Sequence, residues 1–347
     1  MKAFEATAPH QGRFIEAEIP TPTADQVLVR VSYCGVCGTD FDLFSGNSSF
    51  VRSGQATYPI RLGHEWSGVV ADVGPQVTKL KVGDRVVGDN YVTCGICEAC
   101  SAGDYNNCTG RKHVGTIDPC WPGAFAEYYL APQRHIYRLA DNVSLKEATL
   151  CEPLSVAYGG TKKMNIRPSS VVAVIGTGPI AMSAAVLARI RGGRVYVIGR
   201  NEAKLAIAQK LGIAGTINLR RGDVAENLRA LTGGQLADFV LECSGSPDMV
   251  NEVIRISAPK ATVALIGFYN SEPEHVDFST MVAKELTFIG IMGEYGNLEA
   301  VAGIMAENEL KLLEIVTGVV PFQDCAKALN PEDPHSVVKT IIEIAGE

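Results

Sequence analysis

The stretch SSVVAVIGTGPIAMSAAVLARIRGG (169–193) decides the fold. Val171 to Ile175 is an unbroken apolar run, the pattern of a strand buried on both faces. Gly176-Thr177-Gly178-Pro179 then makes a turn, and a run of helix-forming residues follows. Outward from it, RVYVIG (194–199) reads as the next strand and EAKLAIAQKLG (202–212) as the next helix. DFVLECSG (238–245), PDMVNEVIRIS (247–257) and ATVALIG (261–267) continue the alternation. Repeated β-α units predict a parallel sheet with helices on both faces.

Residues 1 to about 150 read differently. VLVRVSY (27–33), WSGVVADV (66–73), DRVVGD (84–89) and AFAEYYLAP (124–132) are short strand-like runs divided by Gly, Pro and Asp turns. After about residue 290 the pattern loosens, with one helix expected at LEAVAGIMAENEL (298–310). Two ends flanking an α/β block suggest an inserted nucleotide domain.

Composition narrows the function. The 347 residues suffice for about two domains at ~150 residues each. With 46% hydrophobic and 20% charged residues, the chain can bury cores and is not a disordered type. A net charge of -7 and no Lys/Arg run argue against nucleic acid as a partner. The opening MKAFEATAPHQGRF has no signal-peptide core, and no run of about 18 apolar residues occurs. A cytoplasmic protein with no membrane partner is expected. Ten cysteines in such a chain are expected to be free thiols or metal ligands rather than a disulfide framework.

Gly176-Thr177-Gly178-Pro179-Ile180-Ala181 fits the dinucleotide fingerprint, whose third position accepts Ala. Gly176 permits the tight turn, and Gly178 lets the backbone approach a pyrophosphate. The helix that begins at Pro179 and Ile180 offers N–H groups to the phosphates. The second strand of such a unit usually ends in an acid that holds the adenosine ribose. Here Gly199 stands in that place and Arg200 follows. Gly leaves room for a 2′-phosphate, and the Arg fork suits it, so NADP(H) is favoured and NAD(H) is the alternative. In that alternative Arg200 is solvated and Glu202 reaches back to the ribose. Further coenzyme contacts are expected at Lys204, Ser244 and Gly267.

Cys94, Cys97, Cys100 and Cys108 form a C-x2-C-x2-C-x7-C pattern. Four thiolates with no open position make a structural zinc site. An iron–sulfur cluster uses similar spacing, but the Pro that follows the last Cys of the bacterial ferredoxin run is missing. A second, scattered set is Cys37 in GVCGTD, His64 and Glu65 in GHE, and Glu152 in CEPL. One thiolate, one imidazole and one carboxylate leave a fourth position open, as a catalytic zinc requires. Taken singly, each has a bland reading: a core thiol, a turn histidine, a helix N-terminal acid.

GVCGTD, GHEWSGVV, VGDRV, the four-cysteine lobe, GAFAEY, EPLSVA and the glycine turn stand in one order along the chain. In this the chain resembles, from end to end, the zinc-dependent medium-chain dehydrogenases. CEPLSVA resembles their polyol branch, the sorbitol, threonine and galactitol-phosphate dehydrogenases. GHEWSG, with Trp66, is locally similar to aminocyclitol (2-deoxy-scyllo-inosamine-type) dehydrogenases. The resemblance implies an α/β protein. A β-rich GroES-like catalytic domain would span 1–154 and 291–347, with a doubly wound Rossmann domain at 155–290. It implies two zinc ions, with Cys37, His64 and one of Glu65 or Glu152 holding the catalytic one. The other carboxylate would sit on the zinc-bound water or behind a ligand, and Thr39 would touch the zinc-bound hydroxyl. The site would lie in the cleft between the domains.

Two departures from the family pattern bear on the substrate. Asp42 stands where the polyol branch often carries a relay His, and Glu294-Tyr295 where sorbitol dehydrogenases carry Arg-Tyr. An acidic substrate pocket is the expectation, suited to a neutral polyol or an amino-bearing cyclitol. The activity implied is oxidation of a secondary alcohol by a homodimer or homotetramer. A zinc-free quinone reductase of the same fold and a non-enzymatic zinc-lobe binding protein are the competing readings.

Overall fold

The computed structural model describes residues 1–347 except Asn270, Glu294, Tyr295 and Pro334. The chain divides into two compact units. The first comprises Met1–Glu152, Leu298–Glu309 and Val316–Glu347; the second comprises Pro153–Asn297 and Leu310–Ile315.

The second unit holds a six-stranded sheet, all parallel. Its spatial order is Gly215–Asn218, Arg194–Gly199, Val171–Ile175, Ala237–Glu242, Ser257–Leu265 and Thr287–Gly290. Numbered along the chain this is 3-2-1-4-5-6, the doubly wound order. Val171–Ile175 is buried at every residue, as a central strand covered on both faces must be. Helix Pro179–Ile190 buries eight consecutive residues, Ala181 to Ala188, so it too is enclosed. The strand order reverses between Val171–Ile175 and Ala237–Glu242, which places the ends of those two strands at the switch point.

The first unit is built on a seven-stranded, largely antiparallel sheet. The long strand Gln26–Val36 pairs antiparallel with Glu65–Val73, Tyr128–Pro132 and Lys339–Glu343. Val316–Pro321 then lies parallel beside Lys339–Glu343. A hairpin of Lys2–Ala8 and Gln11–Glu16 and a small sheet of Tyr91–Val92, Lys112–Val114 and Cys120–Trp121 complete it. Trp66 is core, packed on Tyr129 with ring centroids 4.6 Å apart.

Three expectations need correction. AFAEYYLAP is strand only from Tyr128 onward. Phe125 gives its N–H to Leu62 and its carbonyl to Phe4, so that part of the chain bonds two different segments instead of one ladder. The tail beyond 290 is not loose: Val316–Pro321 and Lys339–Glu343 are strands of the first sheet. The tail also does not return as one piece from residue 291. Leu310–Ile315 belongs to the second unit, where Leu310, Leu312 and Ile315 are buried and Glu314 pairs with Lys210 at 3.2 Å. Among the described residues no helix is long and apolar enough to cross a membrane.

Candidate active site

Sheet register assembles the scattered donors. Gly35 pairs with Glu65 on one side of the long strand, and Val36 pairs with Thr340 on the other. Cys37, one residue beyond, therefore meets His64-Glu65 from one neighbour and Lys339 from the next. Ligand atoms of Cys37, His64 and Glu65 lie within 4.8 Å of one another. Gly35 is needed here, because a Cβ at that position would overlap the Glu65 carboxylate.

Charged and polar side chains fix the three donors. Cys37 is the N-cap of helix Gly38–Ser45, and its N–H donates to Asp40 Oδ2 at 2.9 Å. Gly63 N–H donates to Asp40 Oδ1 at 3.2 Å, and His64 Nδ1 stands 3.7 Å from the same oxygen. Burial would depress the His64 imidazole, but Asp40, Cys37 and Glu152 around it raise it well above the usual value. His64 Nδ1 is buried without a hydrogen bond. A thiol, an under-partnered imidazole and a carboxylate converging on one point fit a zinc ion. Thr39 Oγ1 lies 3.8 Å from Cys37 Sγ, at the edge of this group.

The two glutamates are not equivalent. Glu65 Oε2 is paired with Lys339 Nζ at 2.5 Å, and Lys339 also donates to the Val36 carbonyl at 2.9 Å. Both side chains are 1% exposed. Glu152, in helix Cys151–Thr161, lies outside the 4.8 Å group. Asn90 Nδ2 donates to its Oε1 at 2.6 Å. Burial pushes the Glu152 carboxyl up to about 7, partly opposed by His64.

Sequence reasoning missed Lys339. Its only signal was one charged residue in the mostly apolar VVKTII (337–342). An isolated lysine there reads as solvated until the strand is known to be central.

The lobe is a separate assembly. Ligand atoms of Cys94, Cys97, Cys100 and Cys108 also lie within 4.8 Å of one another. Cys94 Sγ is 3.9 Å from Cys100 Sγ and 3.6 Å from Cys108 Sγ. Four sulfurs at 2.3 Å from one zinc would be about 3.8 Å apart, so the spacing fits. Backbone N–H groups of Cys100 and Thr109 pull the Cys97 thiol down to about 6. Burial pushes Cys100 up to about 11.

At the switch point, Gly176 has φ +116°, a conformation that only glycine adopts freely. Gly178 is different. Its φ is -85° and a Cβ there would meet nothing within 4 Å. Among the described residues no packing demands that glycine, and the space beside it is open at the N-terminus of helix Pro179–Ile190. Ser244 and Gly267 lie on the loops after Ala237–Glu242 and Ser257–Leu265.

A Cβ on Gly199 would overlap Thr177, so packing accounts for this glycine without a phosphate. Arg200 is exposed. Glu202 is engaged elsewhere, accepting from Asn218 Nδ2 and pairing with Arg221 Nε at 3.1 Å. Lys204 sits in the first turn of helix Glu202–Lys210, its N–H bonded to Asn201. Asp42 is exposed on helix Gly38–Ser45 and is not gathered with Cys37, while Glu294 and Tyr295 lie outside the described residues.

Residues 23–141 match the model of the alcohol dehydrogenase GroES-like domain, and 179–307 that of zinc-binding dehydrogenases. The sorbitol dehydrogenase of Halalkalibacterium halodurans is 31% identical over 99% of both chains. D-xylulose reductase A of Aspergillus oryzae is 32% identical over 96% of this chain and 94% of its own. A crystal structure from Sinorhizobium meliloti 1021, described as a zinc-binding dehydrogenase bound to NADP, superposes with TM-score 0.88 at 26% identity, covering 99% and 98% of the two chains. An alcohol dehydrogenase of Escherichia coli CFT073 complexed with NADH gives TM-score 0.87 at 28% identity over 99% of each.

Proposed function

The chain belongs to the zinc-dependent medium-chain alcohol dehydrogenases, in their polyol branch, and from that premise we propose which residues do the work and on what. The substrate is a polyhydroxylated small molecule, a polyol or cyclitol. The carbinol C–H of a secondary alcohol gives hydride to the nicotinamide and its hydroxyl gives a proton to solvent, leaving a ketone and the reduced coenzyme. NADP+ is the favoured acceptor and NAD+ the alternative.

Cys37, His64 and Glu65 hold the catalytic zinc, and the four lobe cysteines hold a structural one. The observation that carries this is the convergence of a thiol, an imidazole and a carboxylate within 4.8 Å. When bound, zinc supplies Lewis acidity that lowers a hydroxyl pKa and polarises a carbonyl. Thr39 Oγ1 takes the alcohol proton and hands it outward. Glu152, held by Asn90, stays out of the ligand set and accepts a hydrogen bond from the water or hydroxyl beside it. Gly176, Gly178, Pro179 and Ile180 receive the pyrophosphate, and Ser244 and Gly267 line the same edge. Two donor sets of this kind disfavour a zinc-free quinone reductase.

None of the ten cysteines is in a disulfide, and five of them are the zinc donors named above, which suits a reducing, cytoplasmic setting. Thr287–Gly290 ends the parallel sheet with an open edge, a feature that supports a homodimer or homotetramer. The experiment is a dehydrogenation screen across polyols, sugar acids and aminocyclitols with both coenzymes, alongside metal analysis. Polyol turnover with two zinc ions per chain is expected. No turnover of any polyhydroxy compound by zinc-replete protein would refute the substrate class.

A further inference from the structure

Glu242 ends the strand Ala237–Glu242 and is fully buried, yet nothing in the chemistry above uses its carboxylate. On Oε1 it accepts from Ser244 N–H at 2.8 Å and from the Ser244 hydroxyl. On Oε2 it accepts from Gly245 N–H at 3.2 Å and Tyr269 OH at 2.7 Å. Its backbone carbonyl accepts two more, from Ile266 N–H at 2.8 Å and Gly267 N–H at 3.0 Å. One residue thus takes up donors from both loops that leave the sheet after Ala237–Glu242 and Ser257–Leu265.

These loops are tightly interlocked. A Cβ on Gly267 would overlap the backbone of Gly245. The first loop also abuts the glycine turn: a Cβ on Gly176 would stand 3.4 Å from both Cys243 C and Ser244 N. The knot therefore lies at the switch point itself.

We propose that Glu242, tethered by Tyr269, is a positioning residue for the coenzyme, holding the two loops in the shape that receives the nicotinamide half. The proposal rests on the coenzyme site argued above. A carboxylate has acceptors only, so it can satisfy four converging donors at once. Left unmet, those buried donors would turn the loops toward other partners. The Ser244 hydroxyl hydrogen is committed to Glu242, and Ser246 N–H donates to the same oxygen at 3.2 Å. What remains on that exposed oxygen is a lone pair. It can accept from a ribose hydroxyl or a carboxamide N–H, whereas a phosphate oxygen offers it no donor.

The test is coenzyme affinity, measured by fluorescence titration with whichever of NADPH and NADH binds the wild type. Glu242→Gln places an amide N–H2 against donors and should raise Kd at least tenfold with zinc content unchanged. Tyr269→Phe removes one tether and should raise Kd three- to fivefold, with KM for the alcohol at saturating coenzyme unchanged. Kd within twofold of wild type in Tyr269→Phe overturns the proposal, even if Glu242→Gln fails to fold. A lowered Tm with unchanged Kd overturns it too, since that is a structural role only. Gly178→Val separates the premises. Loss of coenzyme binding there, with Tyr269→Phe and Glu242→Gln unaffected, refutes the positioning role alone. Unchanged binding in Gly178→Val refutes the coenzyme site as well.

Discussion

The two donor sets of the first unit are built in opposite ways. The lobe set comes from fifteen consecutive residues, 94–108, and all four donors are sulfur. Backbone N–H groups tune those thiols. The set of Cys37, His64 and Glu65 comes from a helix N-cap and the start of a strand, brought together by register. Buried ionisable side chains support it: Asp40, Lys339 and Glu152. A loop alone can make the first set, while the second exists only once the sheet has formed. Four soft donors close a site; three mixed donors leave it open for a substrate oxygen.

The contrast breaks most plainly at the open set. Cys37→Ser and His64→Ala should each lower kcat on the order of a thousandfold, the scale of several kcal/mol of lost electrophilic assistance. Coenzyme Kd should not change, because its residues belong to the second unit. Steady-state kinetics with a separate coenzyme titration checks both. A variant that keeps most of its kcat would show that this set is not the catalytic one.

Lys339 is the next largest lever. Removing one partner of a buried ion pair costs about 3–5 kcal/mol, because the other charge is left uncompensated. Lys339→Met should therefore lower Tm strongly and deplete the catalytic zinc while the lobe zinc stays. Lys339→Arg, which keeps the charge, should retain more of both. Metal analysis and thermal denaturation report the outcome. Full zinc content in a folded Lys339→Met protein would show that Glu65 needs no such anchor.

The same contrast explains what was legible in the sequence. Contiguous motifs declared themselves: the cysteine lobe, and the glycine turn between an apolar strand and a helix. RVYVIG was read to the residue, because a fully buried parallel strand has a hard apolar boundary. The scattered set was suggested by its ligand types and sharpened by its resemblance to known dehydrogenases, since no spacing rule links Cys37 to His64. Lys339 and Asn90 were not legible at all. Their partners, Glu65 and Glu152, lie far away in sequence, and only pairing across the sheet brings Lys339 to Glu65. Val316–Pro321 was missed because a glycine and a proline interrupt its apolar pattern, although its burial alternates residue by residue. At Gly199 the nearby Thr177 side chain is a sufficient reason for glycine, so that residue by itself carries no signal for a 2′-phosphate.

At the closed set the expected effect is smaller and of another kind. Cys108→Ser removes one of four thiolates, and metal binding at such a site is folding free energy. One zinc should be lost and Tm should fall, by roughly 2–4 °C for each kcal/mol. Turnover per surviving molecule should persist, because the open set keeps its own supports. Zinc content and kcat on the purified soluble fraction decide it. A kcat collapse equal to that of Cys37→Ser would erase the distinction between holding and acting.

The smallest effect is expected at the coenzyme edge of the second unit, where a short contiguous motif is again the determinant. Because the Thr177 side chain is a sufficient reason for Gly199, a preference for NADP depends on Arg200 and Glu202. Arg200 is exposed, free to swing toward a 2′-phosphate. Glu202, the acid that could have held a ribose, pairs with Arg221 and accepts from Asn218 at the surface. Arg200→Ala removes a hydrogen bond to a charged group, worth about 1.5–3 kcal/mol. That is roughly a ten- to hundredfold rise in KM for NADP+. KM for NAD+ should barely move, since that coenzyme has no 2′-phosphate for the guanidinium to meet. Initial-rate kinetics with both coenzymes makes the comparison. A wild-type kcat/KM for NAD+ equal to or above that for NADP+ would overturn the preference, and with it the role of Arg200.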